Sequence, residues 1–220
     1  MKNILFIFLF VFLWEAGLTA QSIDPALLSI KQRMDSIASF STNLKLEVDI
    51  SFINMPVKTA RMSYKKGEAI KFSSNDFVLI PKRGLDFSLN GIFEYSFITV
   101  DRGMEKRNGQ LLKVINIIPT DKRADFSIAT LLLDTKNRRV MESEINTKKD
   151  GTYILLMHYA DQYNALPDRV EVNFEIEKLK IPINFMGKDT DIDRKKLRTA
   201  GTKTGKIFLT MSNYQLVFIK

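Results

Sequence analysis

Few side chains in this sequence have a type and spacing that could do chemistry. His158 is the only histidine, set in ILLMHYA on the polar phase between Met157 and Tyr159. That is the place of a satisfied sheet histidine rather than of a general base. With no second histidine and no cysteine, the common zinc ligand sets cannot be assembled. Asp189, Asp191 and Asp193 alternate with Thr190 and Ile192 in the manner of a calcium loop, but the glycine and the distal glutamate are missing at the required spacing. Neither GxSxG nor a Walker loop occurs, and Gly103 and Gly109 are too isolated to cradle a phosphate. The expectation is a protein that is not an enzyme and holds no metal or cofactor.

What the chain does offer is charge at its turns and apolar surface between them. The formal net charge is +8 and survives removal of residues 1–20, which carry Lys2 and Glu15. The densest basic clusters, Lys65-Lys66, Lys82-Arg83 and Arg194 to Arg198, fall in loops and not along one strand with exposed aromatics. They read as solvated charge, with no nucleic acid expected. An electrostatic contact with an anionic membrane or an acidic partner at a sheet rim remains for Lys65, Lys66, Lys82 and Arg83. Methionine is abundant, and Met34, Met55, Met62, Met104, Met141, Met157, Met186 and Met211 are spread over the helix and most strands. Methionine fills irregular space and tolerates changing contents.

The elements that position these residues follow from periodicity. Residues 1–20 read as a secretory signal, with Lys2 before the apolar run Ile4 to Trp14 and a cut near Ala20. An uncleaved anchor is the alternative, although the run is shorter than the roughly 20 apolar residues a spanning helix needs. The rest, 21–220, suits a single domain with its own core, and a cysteine-free exported chain fits the periplasm. Pro25 to Phe40 is predicted as an amphipathic helix, with Asp24 as N-cap, Pro25 in the first turn, and Leu27, Ile30, Met34 and Ile37 at helical spacing.

The remainder reads as strands. Leu44, Leu46, Val48, Ile50 and Phe52 alternate with polar residues. Lys58, Ala60, Met62 and Tyr64 lie opposite Val57, Thr59, Arg61 and Ser63, and the pattern does not decide which set points inward. Short strands are predicted over 69–72, 77–80, 85–89 and 92–100, then a charged loop from Asp101 to Gln110, then strands resuming at Leu111. Hairpins follow at TKN and at Asp150-Gly151. Val170, Val172, Phe174 and Ile176 form one apolar strand face. The stretch 183–205 is expected to be a solvated charged loop, with room for a short helix. In the closing strand the apolar phase slips at Ser212-Asn213, as a bulge requires. The total is one large antiparallel sheet, mainly β, with a single strong helix.

The order of IKQRMDSIASFSTNLKLEV and ARMSYKKGEAIKFSSN, then DTKNRRVMESEINTKKDGTYILLMHYADQYNALPDRVEV, resembles the bacterial outer-membrane lipoprotein carriers, the LolA-like family, over most of residues 24–180. That resemblance implies an open, strongly curved antiparallel half-barrel whose concave apolar face is covered by the N-terminal helix and other helical pieces. It also implies carriage of acylated lipoprotein, or lipid, through the periplasm from an inner-membrane exporter to an outer-membrane acceptor, by a monomer in transient contact with membrane. On this reading Leu27, Ile30, Met34, Ile37 and Phe40 form one wall of a cavity. Leu46, Val48, Ile50, Met62 and Tyr64 supply the other. Where the family commonly has Arg-Pro-Gly, this chain has Lys65, Lys66 and Gly67, and a lysine cannot reproduce arginine's planar fork. The tail after Pro182 exceeds the pattern. The alternative reading is a periplasmic lipid- or peptide-binding sensor on the same fold.

Overall fold

The computed structural model describes residues 23–74, 90–176, 189–199 and 201–219. The chain opens with α1 (Pro25–Asp35), whose N-cap Asp24 accepts the Ala26 amide on its side chain at 2.9 Å. The helix is shorter than its apolar spacing predicts. Ser36 ends it, donating from its hydroxyl to the Arg33 carbonyl at 2.6 Å, while the Ser36 carbonyl accepts the Ile219 amide at 2.7 Å. Ile37 and Phe40 therefore belong to strand β1 (Ile37–Asp49), not to the helix. A register shift between Ile37 and Ser39 puts both side chains inside at a spacing of three, which imitates a helix in sequence.

Beyond β1 come β2 (Ile53–Asn54), β3 (Lys58–Lys65) and β4 (Lys71–Ser73). A short helix, α2 (Asn90–Phe93), stands where a strand from 92 is expected, and β5 (Phe97–Arg107) and β6 (Gln110–Pro119) follow. The predicted charged loop at Asp101 to Gln110 is mostly strand. Asn108 and Gly109, both with positive φ, close a hairpin of the Asn-Gly kind, and Gly103 makes a bulge whose amide bonds the Asp101 carboxylate at 2.7 Å. Then β7 (Phe126–Asp134), β8 (Arg139–Thr147), β9 (Thr152–His158) and β10 (Arg169–Ile176) form a meander. The expected strands at 77–80 and 85–89 lie outside the described residues.

Residues 189–199 carry more structure than a solvated loop. Strand β11 (Asp191–Ile192) pairs with β2, and Asp193 caps α3 (Arg194–Thr199) by accepting the amides of Lys195 and Lys196 at 3.0 Å. The last strand, β12 (Lys203–Phe218), has the expected bulge, with Asn213 at φ 56°. Its place is central.

Ten strands make one antiparallel sheet in the order β4-β3-β1-β12-β10-β9-β8-β7-β6-β5, and among the described residues its two edges do not meet. The sheet curls into an open half-barrel. Leu44, Leu46, Met62, Ile115, Ile117, Leu131, Leu133, Val170, Val172 and Leu209 fill its concave side, with Leu27 and Ile30 of α1 in the same cluster. A small patch of Leu112, Val114, Leu132 and Met141 sits on the other side. No helix among the described residues is long and apolar enough to cross a membrane.

Candidate functional site

The concave face is where the predicted apolar residues meet. All ten join one cluster: Leu27, Ile30, Ile37, Phe40, Leu46, Ile50 and Met62 are buried, while Met34, Val48 and Tyr64 are half-buried against them. The open question about β3 is answered by its neighbours in register. Phe40 faces Tyr64 and Leu44 faces Ala60, so Ala60, Met62 and Tyr64 point inward. Phe40 stacks on Tyr64 with centroids 5.3 Å apart and meets Tyr214 edge-on at 6.0 Å. The Tyr214 hydroxyl donates to the Pro167 carbonyl at 2.9 Å, and burial pushes its pKa up.

The cover over this face is α1, and polar contacts hold it near its ends. At the N-terminus the Asp24 amide donates to Thr99 Oγ1 at 3.1 Å, and the Asp24 carboxylate takes Lys113 Nζ at 2.7 Å. Lys113 also reaches Asp101 at 3.1 Å. The Asp24 hydrogen bond raises the Lys113 pKa, burial opposes it, and Asp101 adds to the rise. At the C-terminus the Arg33 guanidinium donates to two loop carbonyls, those of Asn137 and, at 2.7 Å, Tyr163. Lys66 Nζ donates to the Asp35 carbonyl at 2.9 Å. A lysine thus does reach the helix end, with a single bond. Between the ends the contact is apolar and non-directional.

Lys65 is exposed and pairs with Glu68 at 3.1 Å, so of the two lysines at this turn only Lys66 touches the cover. Lys82 and Arg83 lie outside the described residues. His158 is exposed at the end of β9. The three alternating aspartates go separate ways: Asp189 to Lys58, Asp191 into β11, and Asp193 to the cap of α3.

Sequence reasoning missed several polar residues. Beneath the C-terminal end of α1, Arg139 and Asp134 are both buried and paired at 3.1 Å, with the guanidinium 4.4 Å from the centre of the Tyr159 ring and donating to the Asp161 carbonyl at 2.6 Å. Burial pushes the Tyr159 phenol up. Lys58 was visible only as a lysine on the phase of Ala60 and Met62. Arg33 was visible only as a charge on the helix face away from Leu27 and Ile30.

No protein-family model matches this chain, and no curated protein matches it. Among solved structures it is similar to a LolA superfamily protein from Nitrosomonas europaea, at 13% identity and a TM-score of 0.50, over 88% of this chain and 94% of that one. The fold is LolA-like. Further similar structures are an outer membrane lipoprotein-sorting protein domain from Vibrio parahaemolyticus (13% identity, TM-score 0.47, 86% of this chain and 91% of that) and a DUF1329 family protein from Desulfovibrio piger (10% identity, TM-score 0.47, 88% and 94%). In this LolA-like sheet, β12 lies between β1 and β10, so the closing strand Lys203–Phe218 is part of the half-barrel and not an appendage.

Proposed function

We propose that this protein is a periplasmic carrier that takes the acyl chains of a lipoprotein or lipid against the concave face beneath α1 and ferries them to the outer membrane. One observation supports the reading above others. A continuous apolar cluster, to which every strand of the ten-stranded sheet but β4 contributes, packs against an 11-residue helix whose polar attachments lie near its two ends. Each acyl methylene taken out of water is worth about 0.8 kcal/mol, so a chain of palmitate length gains roughly 12 kcal/mol from apolar cover. Lifting α1 exposes Leu27, Ile30 and half of Met34, and an incoming chain covers the same surface again. Loading is then an exchange of contacts with a small net cost. Nothing in this cycle makes or breaks a covalent bond, and the reading is of a carrier, not of an enzyme.

The test uses the purified protein, a triacylated peptide in donor vesicles, and acceptor vesicles. The carrier reading requires extraction into a soluble complex and then transfer. Met34→Lys should abolish extraction, because Met34 is half-buried on the cover, and an unchanged melting curve is required to separate that loss from unfolding. Ile37 is fully enclosed within β1 and would confound the two effects. Uptake without transfer assigns the chain to sensing rather than carriage, and no uptake at all removes both readings.

A further inference from the structure

Lys58 is a cation on an apolar surface. It lies inward on β3 with Ala60 and Met62, faces Leu46 across the pair with β1, and is 2% exposed. Its ammonium donates to both carboxylate oxygens of Asp189. The partner is placed differently. The Asp189 side chain is 53% exposed and belongs to the short cover segment 189–199. That segment is held by the separate two-stranded pairing of β11 with β2, by the Asp193 amide on the Phe52 carbonyl at 3.0 Å, and by Ile192 and Leu197, which are partly buried against the core. The lysine is thus fixed by the sheet, and its carboxylate is brought to it by a peripheral element that water already reaches.

Even a fully buried ion pair is about neutral for stability against apolar residues of similar volume, and here only the lysine is enclosed while its partner is half in water, so stability does not account for a lysine where its strand neighbours are Ala60 and Met62. A compact ammonium with three donors is a suitable point anchor for a carboxylate or phosphate oxygen. We infer that Lys58 is the binding site for the anionic end of an acyl ligand lying on the concave face, and that Asp189 is the chain's own stand-in for that anion, displaced when the ligand enters. This rests on the carrier reading above and narrows it to acyl ligands that end in an anionic oxygen group, such as a fatty acid or a lipid phosphate. Displacement keeps the charges balanced: Lys58 exchanges one carboxylate for another anion, and Asp189 goes to water. Loading would at the same time loosen residues 189–199 from β3.

Calorimetric titration of the purified protein with palmitate, hexadecyl phosphate and hexadecanol tests this. Palmitate, hexadecyl phosphate or both should bind about tenfold or more tightly than hexadecanol, the scale of one hydrogen bond between charged groups. Which of the two anions binds more tightly separates a fatty-acid source from a lipid-phosphate source. Lys58→Met should remove that preference and leave hexadecanol binding in place. Asp189→Asn, which leaves the lysine without a competing anion and alters a half-exposed site, should strengthen anion binding several-fold; it keeps the test decisive if the Lys58 variant folds poorly. If triacylated peptide and hexadecanol bind but neither anion is preferred, or if Asp189→Asn weakens the anions, this inference falls and the carrier reading stands. If nothing acylated binds, both fall.

Discussion

At the residue scale, the buried pair Asp134–Arg139 should respond to pH. Burial pushes the Asp134 carboxyl up, but the Asn137 side chain and amide and the Arg139 guanidinium outweigh it, and the net shift is downward. A carboxyl lowered in the folded state contributes stability in full above its unfolded value near 3.9 and loses it as pH falls through the lower folded value. Wild-type stability should therefore drop below about pH 4 more steeply than that of Asp134→Asn, measured by urea unfolding. Asp134→Ala should cost about 3–5 kcal/mol, since it leaves a buried guanidinium uncompensated. Gly205 gives a second residue-scale test. A Cβ there would come within 2.6 Å of Ile50 Cγ1 and 2.7 Å of Phe174 Cζ, and Phe174 is its partner in register. Gly205→Ala should destabilise by about 1–3 kcal/mol in the same assay through overpacking.

At the scale of elements, α1 should open without the sheet. Its C-terminal end is held by side chains reaching loop and turn groups, and Arg33→Leu removes two of those bonds. Hydrogen exchange should then show faster α1 amides, with protection unchanged in β1 and β12 and a stability loss of about 1–2 kcal/mol. Equal loss of protection across the sheet would mean that the cover and the half-barrel are one cooperative unit. The same scale shows what the sequence could reveal. Strands with one wet and one dry face, β1 and β10, were legible from alternation, as was the bulge at Asn213. The β5 arm of the β5–β6 hairpin was not, because Asp101 to Arg107 are exposed on both faces, so their side chains carry no alternation. Its Asn108-Gly109 turn was the available signal. The end of α1 was misread because a strand bulge at Ile37 and Ser39 reproduced helical spacing. Arg33, Lys58 and Arg139 could not be assigned, since their roles depend on loop carbonyls and carboxylates distant in the chain.

At the scale of the molecule, the half-barrel depends on its final strand. Strand β12 pairs with β1 on one side and β10 on the other, from Asp49–Lys206 and Ile176–Lys203 onward. Removing residues 203–220 should leave two sheet fragments, each with a bare apolar edge, and a product with no cooperative unfolding transition. Removing only residues 219 and 220 should leave the sheet intact and cost little beyond the Ile219 bond to Ser36. Circular dichroism during thermal unfolding separates the two cases.

That central strand also sets a clock. Leu44 must find Met211, and Phe40 must find Leu216, so the first strand made waits for the last. Contacts this remote in sequence form late and slowly. Until β12 arrives, no strand among the described residues joins β4-β3-β1 to β10 through β5, so the ten-stranded sheet cannot be completed before the final residues are made. Were the chain exported as the carrier reading proposes, that delay would favour its passage as an extended thread, since the complete sheet would form only after the last strand had crossed.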